Sequence, residues 1–292
     1  MSVLNFGSCC IDNVYSVPHF ANPGETLLSL NYEVHPGGKG LNQSIALAAC
    51  GADVHHAGRV GEDGRWLIEL LSSRGVITDL MKIDDGPSGH ANIQVTPDGE
   101  NSIVLYGGAN QEITPDDVDT ALASGDHEFL LIQNEISSLG YLIGQAADQG
   151  MRIIFNAAPM TDAVQSLPLE KLDLLIINEV EGAALAGDTD PDAMLQTLRA
   201  RFPAMRILLT LGEDGACYAD RDGVRKHPAI AVEAVDTTGA GDTFTGYFVA
   251  EYALGRPIED ALKLACQAAA LSVTRVGAAS SIPQRDELTN SI

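Results

Sequence analysis

The sequence is poor in basic residues. Lysine and arginine together number 17 against 40 aspartate and glutamate, which gives a formal net charge of −23 at pH 7. Nucleic acids and anionic membranes are bound through basic surfaces, so this balance argues against both as partners. A polyanionic ligand must instead be held by local helix dipoles, glycine-rich turns and metal ions, because the negative charge of the chain as a whole repels it.

Cysteine is also scarce, and no long apolar run is present. The cysteines are odd in number and scattered without a CxxC pair, so we expect neither a disulfide framework nor a zinc site, and a reducing cytoplasm fits them. They are Cys9, Cys10, Cys50, Cys217 and Cys266. We expect no signal peptide, and no stretch approaches the roughly 20 apolar residues that cross a bilayer.

The order of sequence patterns predicts an α/β fold. Between residues 128 and 210 strand-like and helix-like patterns alternate, which is typical of a parallel sheet wrapped by helices. Two β-rich pieces, 13–36 and 89–107, do not follow this alternation. We expect them to combine into a small sheet that projects from the α/β body as a lid over a cleft, with residues 1–292 forming a single domain.

The most informative segment is 235–244. A β-rich run over 229–235 precedes it and a helical pattern follows, so it predicts a strand, a glycine turn and a helix start. Free N–H groups and the helix dipole favour an anion there, and the small residues Gly239, Ala240 and Gly241 allow close approach. Asp242 lies beside them. An anion hole next to a potential base suits phosphoryl transfer to a hydroxyl, although Asp242 alone would more simply be a helix N-cap.

Two long signatures resemble those of the ribokinase-like (PfkB) carbohydrate kinases. Residues 236–244 (Asp-Thr-Thr-Gly-Ala-Gly-Asp-Thr-Phe) resemble the C-terminal signature of the family, and residues 36–46 (Pro-Gly-Gly-Lys-Gly-Leu-Asn-Gln-Ser-Ile-Ala) its N-terminal one. Shorter family landmarks occur in order at 23–26, 61–63, 156–159, 178–181, 210–215 and 273–278. The resemblance covers essentially the whole chain. It implies a three-layer sandwich with a mostly parallel central sheet between helices, plus a β-sheet lid.

The resemblance also implies an activity. The chain would be an ATP-dependent kinase that phosphorylates the primary hydroxyl of a sugar. Within the family, its sequence pattern is most similar to the members that convert D-ribose to D-ribose 5-phosphate. Asp242 would accept the proton of the attacking hydroxyl, and the backbone N–H groups of Gly239, Ala240 and Gly241 would hold the migrating phosphoryl group.

The family pattern places a sugar site around the first strand and the N-terminal signature. A strand is predicted over 3–10, with Ser8, Cys10 and Asp12 alternating onto one face. The residues that the resemblance assigns to the sugar are Cys10, Asp12, Gly38, Lys39, Asn42 and Glu135. Cys10 departs from the family, which has asparagine there, and a thiol is a poor substitute for an amide; this puts ribose in question.

Simpler interpretations of two of these elements stay open. Residues 37–40 could be a glycine loop ahead of a helix with a solvated Lys39, although Glu33 and Gly40 exclude a Walker phosphate loop. Glu135 could be an exposed acid at the end of a strand.

Further positions are assigned to the nucleotide and to cations. The resemblance places the nucleotide beside Asn178, Thr210, Gly212, Gly215 and Gln267, and Mg²⁺ near Glu181 through water. A simpler interpretation of Asn178 and Glu181 is a capping box at a helix start. A K⁺ ion that orders the anion-hole turn would be held by Asp236, Thr238, Ser272, Arg275, Gly277 and Ser281.

Three alternative functions remain at this point. The substrate could be another acceptor, such as deoxyribose, a ketohexose or a nucleoside. The chain could instead be a non-catalytic regulator that binds a sugar or nucleotide. A dehydrogenase is disfavoured because no early GxGxxG lies between a strand and a helix. Because a β-lid exposes strand edges, we expect a homodimer that pairs the lids of two chains.

Overall fold

The computed structural model of the chain describes residues 2–291, with side chains described as far as Leu288. The strands, in chain order, are β1 (Ser2–Phe6), β2 (Cys10–Ser16), β3 (Asn31–Gly37), β4 (Asp53–Gly61), β5 (Ile77–Asp84), β6 (Gly89–Val95), β7 (Asn101–Tyr106), β8 (Phe129–Gln133), β9 (Arg152–Asn156), β10 (Leu174–Asn178), β11 (Arg206–Thr210), β12 (Ala216–Asp220) and β13 (Gly223–His227). The α-helices are α1 (Lys39–Cys50), α2 (Arg65–Ser73), α3 (Pro115–Leu122), α4 (Leu139–Asp148), α5 (Glu179–Ala186), α6 (Pro191–Arg201), α7 (Ala240–Ala253), α8 (Ile258–Ser272) and α9 (Arg285–Ser291).

The larger sheet forms the central layer. Within residues 2–291 it has nine strands in the order β13-β12-β11-β10-β9-β8-β1-β4-β5. Pairing is parallel from β5 to β11, and β12 and β13 add an antiparallel hairpin at one edge. The inner strands are apolar on both faces; β8, for example, is buried along its whole length. Such strands need a helical layer on each side.

Those two layers are present. Buried side chains of α1, α2, α7, α8 and α9 share one hydrophobic cluster, and those of α3, α4, α5 and α6 share a second cluster on the opposite face. The predicted three-layer sandwich is therefore confirmed. Among the described residues, every helix is too short or too polar to traverse a bilayer.

A separate small sheet has the order β3-β2-β6-β7. Strand β2 pairs antiparallel with β3 and parallel with β6, and β6 and β7 form the predicted hairpin. This confirms a distinct β-sheet made from the two β-rich pieces, although its first strand begins at Cys10 rather than at residue 13. The outer strand β7 is exposed throughout.

Two predicted strands are wrong. Residues 3–10 do not form one strand, because the chain leaves the central sheet after Phe6 and enters the small sheet at Cys10, so Ser8 lies in the connection. A side chain on Gly7 would come within 2.6 Å of the Gly40 Cα, and this close backbone contact forces the break.

Residues 229–235 also form no strand. Pro228 follows β13 directly and has no N–H group to continue the ladder, so the edge strand ends there. The segment crosses instead toward the end of α8, where the Val235 N–H donates to the Val273 carbonyl at 2.8 Å.

Helices α1 and α7 touch at a glycine. A Cβ on Gly246 would lie 2.4 Å from the Ala46 Cβ and 2.9 Å from the Gln43 carbonyl oxygen. Only glycine lets the two helices approach this closely. Their separation sets how far the first turn of α7 lies from the side chains of α1.

We expect Gly246→Ala to destabilise the protein. Overpacking at a close contact costs about 1–3 kcal/mol, which exceeds the roughly 1 kcal/mol by which alanine favours a helix over glycine. Gly144→Ala in α4 is the matched control, because a Cβ there meets no atom of the described residues within 4 Å. Urea unfolding should give a lower midpoint for G246A and a slightly higher one for G144A. Equal gains in both variants would contradict the close packing.

Candidate active site

Asp242 lies in the first turn of α7 with its carboxylate turned inward. The N-cap of this helix is Gly239, with φ 74°, and no side chain of the described residues caps it, so the N-cap interpretation of Asp242 is wrong. The residue is 8% exposed. Its Oδ2 accepts a hydrogen bond from Asn42 Nδ2 at 3.0 Å, and its Oδ1 accepts one from Gln43 Nε2 at 2.9 Å.

The turn above this carboxylate is accessible. Gly239 and Ala240 are partly exposed and Gly241 is exposed. The Ala240 N–H donates to the Thr237 carbonyl at 3.2 Å, whereas the N–H groups of Gly239 and Gly241 have no acceptor among residues 2–291. Two of the three predicted anion-hole donors are therefore free, and the third is shared within the turn.

Lys39, the first residue of α1, is surrounded by acids. Its backbone N–H donates to Glu135 Oε2 at 2.9 Å. The negative charge of Asp242, and also that of Glu135 and Glu181, raises the pKa of the Lys39 ammonium, while burial opposes the rise. The side chain is only partly exposed and lies among three carboxylates, so Lys39 is not simply solvated.

Glu135 follows strand β8 and is tied to two other elements. It accepts hydrogen bonds from the Ser8 hydroxyl, in the connection after β1, and from Lys39. Burial raises the pKa of its carboxyl, and the Lys39 charge opposes that rise. With partners on two sides, Glu135 is not an exposed strand-end acid.

Asp12 and Cys10 share one face of β2. A Cβ on Gly37 would lie 2.2 Å from Asp12 Oδ2, so glycine at position 37 makes room for this carboxylate. Burial, followed by the charge of Glu135, raises the pKa of Asp12 to about 6, and His35 on the neighbouring strand opposes the rise. Burial and the same carboxylates raise the pKa of the Cys10 thiol, so it is a neutral, weak hydrogen-bonding group.

Gly38 and Asn42 complete the predicted sugar site. Gly38 has φ 95°, and a Cβ there would lie 2.9 Å from the Ser8 carbonyl oxygen. Asn42 is 5% exposed, and its Oδ1 has no hydrogen-bond partner in the part of the chain that the structure describes. The predicted sugar residues thus lie at the start of α1, on β2 and after β8. Contacts and charge interactions join them to one another and to Asp242.

Asn178 and Glu181 form the capping box of α5. The Asn178 N–H donates to Glu181 Oε2 at 2.8 Å, and the Glu181 N–H donates to Asn178 Oδ1 at 2.9 Å. Burial raises the pKa of Glu181, and the charge of Lys39 opposes the rise. The interpretation of Asn178 and Glu181 as a capping box is therefore correct, since both hydrogen bonds of the box are present. The interaction with Lys39 still relates Glu181 to the cluster around Asp242.

The other predicted nucleotide residues lie farther along the same edge of the sheet. Thr210 ends β11, next to β10, and Gly212 and Gly215 flank the turn that leads into β12, with φ 52° and 100°. A Cβ on Gly215 would lie 2.1 Å from the His227 carbonyl oxygen. Gln267 is partly exposed on α8, and no hydrogen bond among residues 2–291 links it to these positions.

The six positions predicted to hold K⁺ lie in two segments that contact each other. Asp236 Oδ2 accepts from the Gly277 N–H at 2.8 Å, and its Oδ1 accepts from the Thr238 N–H at 2.9 Å. Arg275 directs its guanidinium to Glu287, while Ser272 and Ser281 donate to carbonyls one turn back. Within the described residues, no group of three or more His, Cys, Asp or Glu side chains could hold a metal ion.

A buried set of polar side chains behind Asp242 was not predicted. Each member is 0% exposed; they are Asn5, Gln43, Ser44, His56 and Gln133. A signal was present in the sequence, since Asn5 lies between apolar residues of β1 and Gln133 ends the apolar strand β8. Buried polar groups in such positions need partners, and here they bond to one another.

Comparison with known proteins agrees with this geometry. Residues 2–285 match the family model described as pfkB family carbohydrate kinase. The ribokinase of Bacillus subtilis is 36% identical over 288 residues, 97% of this chain and 96% of that protein.

Two solved structures share the whole fold. Ribokinase from Cryptococcus neoformans in complex with ADP has a TM-score of 0.88 at 35% identity and covers 100% of this chain and 99% of that one. Arabidopsis thaliana ribokinase complexed with ribose and ATP has a TM-score of 0.89 at 29% identity, with 99% and 97% covered. The site combines a buried carboxylate, N–H donors in the turn beside it, and several polar side chains that can hydrogen-bond to hydroxyls. Phosphoryl transfer to a sugar requires groups of these kinds. This chain therefore belongs to the pfkB family of carbohydrate kinases.

Proposed function

We propose that the chain is an ATP-dependent kinase that phosphorylates the primary hydroxyl of D-ribose to give D-ribose 5-phosphate. The observation that carries the proposal is the Asp242 carboxylate, which is buried and oriented beneath the exposed turn of Gly239 and Gly241. The full-length similarity to ribokinases supports ATP as phosphoryl donor and ribose as acceptor.

Each group of the site then has a task. Asp12, Glu135, Lys39 and Asn42 bind the secondary hydroxyls, so that the primary hydroxyl lies at Asp242. Asp242 accepts the proton of this hydroxyl as its oxygen bonds to the γ-phosphorus of ATP and the bond to the β-phosphate oxygen breaks. The N–H groups at Gly239 and Gly241 stabilise the charge of the phosphoryl group in transfer. The β2–β3–β6–β7 lid excludes water, which would otherwise compete as acceptor.

Two cations belong to the proposal. Mg²⁺ bound with ATP supplies charge neutralisation at the phosphates; Glu181, whose second carboxylate oxygen is free among the described residues, would hold it through water. K⁺ would lie between the segments around Asp236 and Gly277, which hydrogen bonds already join beside the anion-hole turn.

The remaining expectations concern partners and location. The lid carries exposed apolar side chains, including Leu30 at 68%, Val104 at 67% and Tyr106 at 53%, and pairing with the lid of a second copy would cover them. The net charge of −23 favours neither nucleic acid nor membrane as a partner. The five free, buried thiols support a cytoplasmic location.

Asp242→Asn should abolish catalysis while leaving ligand binding intact. An amide keeps the size of the carboxylate but cannot accept the proton, so we expect kcat to fall by a factor of about 10²–10⁴. Sugar affinity, measured by calorimetry, should change by less than about threefold. Asp116→Asn, in the exposed first turn of α3, is the control and should retain native turnover. Native turnover in D242N would exclude Asp242 as the base.

The acceptor is tested by a panel of D-ribose, 2-deoxy-D-ribose, D-fructose and adenosine with ATP. We expect ribose to give the highest kcat/KM, because the site offers separate polar groups for several hydroxyls. A higher value for deoxyribose would indicate that the neutral thiol of Cys10 has replaced a hydroxyl-binding group. Sugar binding without transfer to any acceptor would support the non-catalytic regulator.

Replacing K⁺ with tetramethylammonium should lower turnover strongly. The organic cation is too large to be coordinated by carbonyl oxygens, so the turn beside Asp236 would lose its ordering ion. Initial rates at constant ionic strength measure the effect, with Mg²⁺ and ATP held saturating. Equal rates in the two salts would remove K⁺ from the proposal.

A further inference from the structure

The two amides that contact Asp242 differ in what else they can reach. Asn42 has a second polar atom, Oδ1, which is buried without a partner among the described residues, so this amide keeps one unused acceptor. Gln43 is 0% exposed, and both ends of its amide are occupied within the protein. Gln43 therefore contacts the base but cannot contact the substrate.

The amide of Gln43 can take only one orientation. A carboxylate only accepts hydrogen bonds, so the nitrogen of Gln43 must face Asp242 Oδ1, at 2.9 Å. The oxygen of Gln43 then accepts from Gln133 Nε2 at 2.8 Å. A flipped amide would oppose oxygen to oxygen at one end and nitrogen to nitrogen at the other.

At Gln133 the direction of donation divides, because its amide nitrogen donates toward the site, to Gln43, and also away from it, to Asn5. Gln133 Nε2 also donates to Asn5 Oδ1 at 3.0 Å, and Asn5 Nδ2 donates to the Ser44 hydroxyl at 2.7 Å and to the Gly40 carbonyl at 2.8 Å. Ser44 bonds to His56 Nδ1 at 2.8 Å. Burial lowers the pKa of His56 to about 4, so the ring is neutral and Nδ1 can accept.

This chain of hydrogen bonds leaves one buried oxygen unpaired, and that oxygen shows which orientation of Gln133 the structure selects. Among the described residues, Gln133 Oε1 is buried without a partner, within 2.4 Å of where a Cβ on Gly7 would lie. An unpaired buried acceptor destabilises the folded protein. Turning Gln133 over would give its oxygen no donor from Gln43 or Asn5. The arrangement present keeps Gln43 oriented toward Asp242.

We propose that Gln43 is a positioning residue for phosphoryl transfer: it holds Asp242 Oδ1 in place, so that Oδ2 faces the substrate. The inference rests on the proposed function. When the sugar binds, Asn42 can turn its amide to the ligand and release Oδ2 to accept the hydroxyl proton. Gln43 remains bonded throughout, because nothing at the substrate can reach it. Its hydrogen bond sets the direction of the lone pair that takes the proton.

The first test replaces Gln43 with methionine, which has similar length and no hydrogen-bonding amide. A misplaced base costs up to about 10²-fold, so we expect kcat for Q43M to fall by about 10- to 100-fold. The sugar Kd should change by less than about threefold, since Gln43 does not touch the ligand. Gln145→Met, the same change at a partly exposed position on α4, is the control and should keep native kcat and Kd. All rates are measured well below the melting temperature of each variant.

The second test uses Q43E, which keeps the shape of the side chain and so protects against a failure to fold. At low pH the introduced carboxyl is protonated and can donate to Asp242; at high pH it is ionised, cannot donate and repels the base. The ratio of Q43E to native kcat should therefore fall as the pH rises from about 5.5 to about 8.5. Lys39, Glu135, Glu181 and Asp12 titrate in both enzymes, so the ratio removes the part of the pH dependence that the two enzymes share.

The outcomes separate this inference from the function on which it rests. A flat ratio near one for Q43E, or native kcat in Q43M, would overturn the positioning role while leaving the kinase intact. A sugar Kd that weakens in parallel with the loss of kcat would also overturn it, because Gln43 would then shape the binding site. A native enzyme that phosphorylates no sugar would overturn the proposed function and the inference with it.

Discussion

The hydrogen bonds from α1 to Asp242 are the interaction on which the site depends. The bond from Asn42 joins residues 200 positions apart in the chain, and the bond from Gln43 is its neighbour. Both exist only because α1 and α7 approach closely at Gly246. Neither signature is a site by itself: one supplies the Asp242 carboxylate and the glycine turn beside it, and the other supplies the amides that hydrogen-bond to this carboxylate. The packing of α1 against α7 brings the two signatures together.

Much of this was predictable from local patterns. The alternation of strands and helices indicated the layered fold, and the two β-rich pieces indicated the small sheet, because both patterns follow from periodicity and turn residues. The pattern over 235–244 predicted a glycine turn that leads into a helix, and α7 begins there, at Ala240. The capping box of Asn178 and Glu181 was also visible, since it depends only on residues three apart.

The remainder depends on contacts that sequence proximity does not reveal. The break between β1 and β2 arises because Gly7 touches Gly40, which is distant in the chain. Residues 229–235 have strand-forming composition, yet they leave the sheet edge at β13 and bond to the end of α8 instead. The amide chain behind Asp242 joins β1, α1 and β8, and each member looks unremarkable in its own segment. Tertiary contacts override local preference in each of these cases.

The two acids predicted for the sugar site have a consequence for the order of events. Asp12 belongs to the small sheet and Glu135 to the body, and burial, followed by the negative charge of Glu135, raises the pKa of Asp12. Under the proposed function, a polyol would bring O–H groups to both carboxyls and offset their mutual repulsion. The phosphorylated product would instead add negative charge among acids that already repel one another. The same electrostatic field would then favour binding of a neutral sugar and release of its phosphate ester.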